Sequence, residues 1–130
     1  MKIRKGFVSN SSSSSFIIAL KGQKLSAAGL IEAFQVPETS PIFKLAQEMA
    51  QVMVDRAQVY DEEEILYNWG FKTLEEAIES GNKQAVLLSK GFSVFSGYAS
   101  DEDGGIEAMI CNTRIDFESD DIVVFSEGGY

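Results

Sequence analysis

Histidine is absent from this chain of 130 residues, and Cys111 is its single cysteine. Without histidine the chain lacks the usual general base, the usual activator of a serine or cysteine nucleophile, and the commonest metal ligand. A single cysteine excludes an internal disulfide and fits a reducing compartment, so we expect a cytoplasmic protein. No apolar run approaches the roughly 18 residues that a membrane span requires, which predicts no membrane partner. Catalysis is therefore not the expected function, and no cofactor is predicted.

Cations are also scarce beyond the N-terminal segment. Residues 1–24 carry a net charge of +5, whereas residues 25–130 carry −14. Such a negative body repels the phosphates of duplex nucleic acid and of anionic lipid, so neither is expected as a partner. In the simplest interpretation the negative charge keeps the protein soluble. In a more specific interpretation it forms an acidic surface that binds a basic protein. The charge does not indicate an oligomeric state.

The hydrophobic patterns predict an α+β fold in one domain spanning residues 1–130. A continuous apolar run at residues 16–20 is typical of a strand that is buried on both faces. Further strands are predicted at residues 92–99 and 122–125, and residues 106–112 are compatible with either a helix or a strand. Helices are predicted at residues 26–35, 41–60, 62–69, 74–80 and 82–90, although a strand is an alternative for the last range. We expect a small three- or four-stranded sheet packed by four to six helices.

The longest predicted helix, residues 41–60, has a regular apolar stripe. Leu45, Met49, Val52 and Met53 recur at helical spacing, with polar residues mostly between them. We expect all four side chains to be buried. The two methionines are interpreted as core residues that fill gaps, in preference to residues that line a binding groove.

Three aromatic residues cluster beside Gly70, namely Tyr67, Trp69 and Phe71. Aromatic side chains can form a platform on which nucleic-acid bases stack, but the acidic surroundings repel a phosphate backbone. We therefore expect these three side chains to belong to the core.

The N-terminal segment places five serines between two apolar patches. Residues 2–17 read KIRKGFVSNSSSSSFI. They resemble the N terminus of a group of small bacterial and phage proteins that share a short basic stretch, a Gly-Phe-Val-Ser-Asn turn, a serine run and a Phe-led strand. The resemblance covers the first 17 residues and implies a bacterial or phage origin. No activity is attached to that group, so the resemblance implies no catalytic residue.

An anion site is one hypothesis for this segment, because hydroxyls, backbone N–H groups and cations lie close together in the sequence. Its candidate residues are Lys5, Asn10, Ser11, Ser12 and Ser13. A phosphate-binding loop, however, uses glycines and a following helix, whereas this run leads into a predicted strand. A turn that feeds the first strand is the favoured alternative, and a mobile segment over residues 1–15 is the other.

A cation site is a second hypothesis, at the acidic turn before residue 106. Asp101, Asp103 and Glu107 supply the oxygen ligands that Ca²⁺ and Mg²⁺ prefer. The spacing does not match an EF-hand loop, so a solvated turn is the favoured interpretation. The carboxylates of residues 118–121 would strengthen the hypothesis if they converged on the same turn.

Three functions follow from these observations. The favoured one is a non-catalytic, acidic protein-binding module with a basic protein as its partner. The first alternative is a carboxylate-dependent enzyme that binds Mg²⁺ or Ca²⁺ near residues 101–107. The second is an anion or nucleotide binder that uses the serine-rich N-terminal segment.

Overall fold

A computed structural model of the protein describes residues 13–100, 105–106, 110 and 115–129. These residues form an antiparallel sheet with helices on both faces. The strands are β1 (Ser13–Leu20), β2 (Gln58–Val59), β3 (Ser93–Ser100), β4 (Asp116–Glu118) and β5 (Ile122–Gly129). The helices are α1 (Ala27–Phe34), α2 (Phe43–Arg56), α3 (Glu62–Trp69), α4 (Leu74–Glu79) and α5 (Lys83–Ser89). The described residues of the range 105–110 are also helical.

The α+β class is confirmed, and the predicted strand count of three or four is wrong. The sheet has five strands among the described residues, in the order β2-β3-β1-β5-β4. The two strands that the sequence did not indicate are the outer ones, and they contain two and three residues. Segments this short show no measurable alternation, so only their pairing with a neighbour defines them.

β1 is the central strand, as its continuous apolar run predicted. It pairs with β3 on one side and with β5 on the other. Phe16, Ile18 and Leu20 lie on one face of the sheet, here called the first face, in a core shared with α1 and α2. Ile17 and Ala19 lie on the opposite, second face, in a core shared with α5. All five side chains are buried, so neither face of this strand is open to solvent.

Four of the helices begin within one residue of their predicted starts, and each has a capping side chain there. The side chains of Ser26, Asp61, Thr73 and Asn82 each accept a hydrogen bond from the backbone N–H three residues later, at 2.9–3.2 Å. These contacts satisfy N–H groups that a helix start leaves without an intrahelical partner. The assignment of residues 82–90 to a helix is confirmed by α5, which ends before Gly91 at a positive φ of 94°.

α2 is shorter than predicted at both ends. The Oγ atom of Ser40 accepts a hydrogen bond from the backbone N–H of Ile42, so the residues after Ser40 form a turn and the helix begins at Phe43. At the other end Ala57 is extended, and Tyr60 donates a backbone hydrogen bond to Val94 on β3. The prediction of a helix through residue 60 is wrong, because pairing with β3 draws this segment into β2.

The apolar stripe of α2 is only partly buried, which corrects the expectation for three of its four residues. Met53 is fully buried, whereas Leu45, Met49 and Val52 are only partly buried, and Met49 and Val52 pack against the margin of the core. The buried residues of the helix are Ala46, Ala50 and Met53. None of the described helices is long and apolar enough to cross a membrane.

Candidate functional site

The residues that the sequence singled out as sites lie almost entirely outside the described part of the chain. They are Lys5, Asn10, Ser11 and Ser12 of the anion hypothesis and Asp101, Asp103 and Glu107 of the cation hypothesis. Ser13 differs, because its backbone begins β1. Within the described residues, no group of three or more cysteine or carboxylate side chains is placed to hold a metal ion. Both site hypotheses therefore stay predictions.

An apolar hollow in contact with the sheet lies on the first face, between α1, α2 and β4. We call it the α1–α2 groove, and its volume is about 390 Å³. Its apolar walls come from the end of α1, the start of α2 and the edge of the sheet: Phe34, Val36, Ile42, Leu45, Met49 and Phe117. Ile42 is 55% exposed, which is unusual for a large aliphatic side chain and marks the mouth of the groove.

The local sequence explains why these side chains stay accessible. Leu45 and Met49 lie one helical turn apart on α2, beside the stripe that contacts the sheet. α1 ends at Phe34, because its C-cap Gln35 adopts a left-handed conformation with φ of 58°. On β4, Phe117 pairs with Val124 and therefore shares the first face with it. The groove thus lies between the end of α1, the first half of α2 and the edge strand β4.

A second, shallower hollow of about 600 Å³ adjoins the groove and shares Gln35 and Val36 with it. Three acidic residues border the two hollows, and all three are exposed. Glu32 and Glu38 line the second hollow, and Asp116 borders the groove at the sheet edge, with its side chain attached on the second face. Over the described part of the chain, no lysine or arginine lines either hollow. The rim of an apolar surface therefore carries charge of one sign.

β4 forms an edge of the sheet beside this groove. Of the strands that the structure describes, β5 alone pairs with it. The backbone N–H of Ser126 donates to the carbonyl of Ile115 at 2.9 Å, and the N–H of Ser119 donates to the carbonyl of Ile122 at 2.8 Å. These two bonds fix the register of the β4–β5 hairpin at both of its ends.

The second face carries charges of both signs near α5. Lys83 and Lys90 line a hollow beside β5 together with Asp116 and Glu118, and Lys21 and Lys90 line its neighbour together with Glu118 and Asp120. The ammonium group of Lys83 lies 4.5 Å from the centre of the Phe125 ring. Lysines and carboxylates therefore lie side by side on this face.

The prediction that the aromatic cluster near Gly70 is buried is wrong for two of its residues. Tyr67 is 87% exposed and Trp69 is 52% exposed, whereas Phe71 packs against the small core of α3, α4 and α5. The hydroxyl of Tyr60 accepts hydrogen bonds from the Nε1 of Trp69 and the Nδ2 of Asn68, both at 3.2 Å. These contacts hold the indole at the surface.

No family model, no curated protein sequence and no solved structure matches this chain. The resemblance of residues 2–17 to small bacterial and phage proteins therefore stays a prediction. The sequence missed the groove because Leu45 and Met49 have the spacing of a core stripe. The sequence feature that could have indicated the groove is the width of the apolar stripe, which the apolar residues 42–43 extend at the start of the helix.

Proposed function

We propose that this protein is a non-catalytic, acidic protein-binding module, and that a basic segment of its partner binds in the α1–α2 groove through apolar side chains. The observation that supports this proposal is an apolar floor that, among the described residues, is bordered by acidic residues and by no lysine or arginine. The proposal includes the cytoplasmic location and the bacterial or phage origin expected from the sequence.

The two parts of the groove contribute differently to binding. Apolar side chains such as those of Leu45 and Met49 contribute affinity when a partner removes them from water. The carboxylates of Glu32, Glu38 and Asp116 attract a basic segment before contact and disfavour an acidic one. No described feature of the molecule favours the metal-dependent enzyme or the anion binder.

A direct binding experiment tests this proposal. We would titrate the protein with two fluorescent peptides of equal length, one rich in lysine and leucine and the other rich in glutamate and leucine. Amide chemical shifts, followed by NMR, would locate the binding surface. We expect the basic peptide alone to bind and the shifts to concentrate in α1, the start of α2 and β4. Shifts confined to other surfaces would contradict the proposal.

Two matched pairs of variants make the test specific. Met49→Gln removes an apolar group from the groove, whereas Tyr67→Gln removes one from an exposed position on α3. Glu38→Lys and Glu79→Lys change the net charge equally, but only Glu38 lines the hollows. We expect Met49→Gln and Glu38→Lys each to weaken binding by about tenfold, with little effect from either control.

A further inference from the structure

No other described strand pairs with the outer edge of β4, which presents backbone hydrogen-bonding groups at defined positions. In an antiparallel ladder, residues alternate between those bonded to the neighbouring strand and those whose backbone groups point away from it. Ile115 and Ser119 are bonded to β5 at the two ends of the hairpin. The alternation therefore directs the N–H and C=O groups of Asp116 and Glu118 away from β5. A segment that lay along this edge would meet two donors and two acceptors.

The side chains of β4 differ between the two faces of the sheet. Phe117 shares the first face with Val124 and lines the α1–α2 groove. Asp116 and Glu118 occupy the neighbouring positions, so both carboxylates are attached on the second face. An added strand would place successive side chains alternately beside Phe117 and beside these carboxylates. This alternation holds whether the added strand is parallel or antiparallel.

We infer that the basic partner segment binds as an additional β-strand along the edge of β4, with apolar and basic residues alternating in its sequence. This inference rests on the proposed function and specifies its binding mode. The apolar side chains enter the α1–α2 groove beside Phe117 and Met49. The basic side chains lie beside Asp116 and Glu118, and backbone hydrogen bonds to the same two residues hold the segment in register.

Charge argues for such a partner in preference to a second copy of the chain. Pairing β4 with the β4 of another copy would bring Asp116 and Glu118 next to their own counterparts. Like charges on adjacent strands are destabilising. A lysine- or arginine-bearing strand converts the same positions into attractive pairs.

Peptides of fixed composition test the inference. The first alternates lysine and leucine over seven residues. The second contains the same residues in two blocks. The third and fourth are the alternating peptide with backbone N-methyl groups on every lysine or on every leucine. In a strand, alternate N–H groups face the same neighbour, so we expect one methylated set to abolish binding and the other to leave it within about twofold. We also expect the block peptide to bind about tenfold more weakly.

A pair of protein variants tests the same backbone hydrogen bonds by changing β4 in place of the peptide. Glu118→Gln and Glu118→Pro both remove the carboxylate, but only the proline also removes the outward N–H. Proline is tolerated on an edge strand where its missing N–H faces outward, so the β4–β5 pairing is kept. We expect Glu118→Pro to bind the alternating peptide several-fold more weakly than Glu118→Gln. Equal affinities would overturn strand addition.

The outcomes separate this inference from the function on which it rests. One outcome would contradict strand addition but keep the proposed function. In it, the alternating and block peptides bind equally, the two methylated peptides also bind equally, and Met49→Gln weakens the binding of all four. The groove would then bind basic segments, but not as a strand. If no basic peptide binds, or Met49→Gln changes nothing, the proposed function fails and the inference with it. If sedimentation without peptide shows a dimer that Glu118→Pro dissociates, a second copy occupies the edge and the inference is wrong.

Discussion

The ring of Phe16 on β1 covers Gly97 on β3, where the two residues are directly paired. A Cβ atom at position 97 would lie 2.5 Å from the Cζ of Phe16 and 3.0 Å from the backbone oxygen of Arg56. Both distances are shorter than any ordinary contact. The absence of a side chain at Gly97 therefore allows the ring to lie over the strand, and it allows the end of α2 to approach the sheet.

We expect Gly97→Ala to destabilise the fold by about 1–3 kcal/mol, because the new methyl group forces the ring or the end of α2 to move. Urea unfolding followed by circular dichroism would measure the loss. In a Phe16→Ala background the same substitution should cost less, since the ring is gone and only the Arg56 carbonyl remains close. An equal cost in both backgrounds would show that the ring is not the obstacle.

The two methionines of α2 should differ in their contributions to stability. Met53 is fully buried in the core of the first face, so Met53→Ala should cost about 2–5 kcal/mol. Met49 is only partly buried in the α1–α2 groove, and Met49→Ala should cost clearly less because fewer contacts are lost. Urea midpoints of the two variants would compare them. A larger loss for Met49→Ala would mean that the groove is closed in solution.

Association with a basic peptide should depend on salt. Opposite charges attract the peptide to the carboxylate rim over about 10 Å at 0.1 M salt, and added salt screens this attraction. We therefore expect the association rate constant to fall as salt rises, while the dissociation rate constant changes less. Stopped-flow fluorescence would measure both. In Glu38→Lys the salt dependence should weaken, whereas in Glu79→Lys it should remain. An association rate that is indifferent to salt would leave the acidic charge as a contribution to solubility alone.

Divalent cations should not stabilise the protein. A ligand that binds the folded state raises the melting temperature, and the rise grows with the logarithm of ligand concentration once that exceeds the dissociation constant. We expect neither Ca²⁺ nor Mg²⁺ to produce such a rise in a thermal melt at constant ionic strength. If a rise is observed and Asp103→Asn abolishes it, the cation-site hypothesis replaces the protein-binding proposal.

Local chemistry is the part of this fold that the sequence predicted well. Ser26, Thr73 and Asn82 mark helix starts because a capping side chain acts on its own backbone, three residues away. The run at residues 16–20 predicted a strand with both faces covered, because successive side chains of a strand point to opposite faces and all five residues are apolar.

The parts that were missed depend on contacts between distant segments. β2 and β4 exist because neighbouring strands offer them hydrogen bonds, and a segment of two or three residues has no pattern of its own. The α1–α2 groove was missed for a related reason. A helical stripe shows which side chains are apolar, but Met49 is left only partly buried by where the sheet ends, and the helix sequence does not contain that information.

The central position of β1 has a consequence for how the chain reaches its native state. Ile18 must pair with Phe95 and Val124, which come from nearly the opposite end of the described chain. Contacts between residues so far apart in sequence slow folding, because a long loop must close before any pairing energy is gained. During translation the apolar β1 segment leaves the ribosome long before β5 is made. In that interval it has no neighbouring strand with which to pair. We expect this interval, more than the stability of the finished fold, to determine how readily the protein aggregates during synthesis.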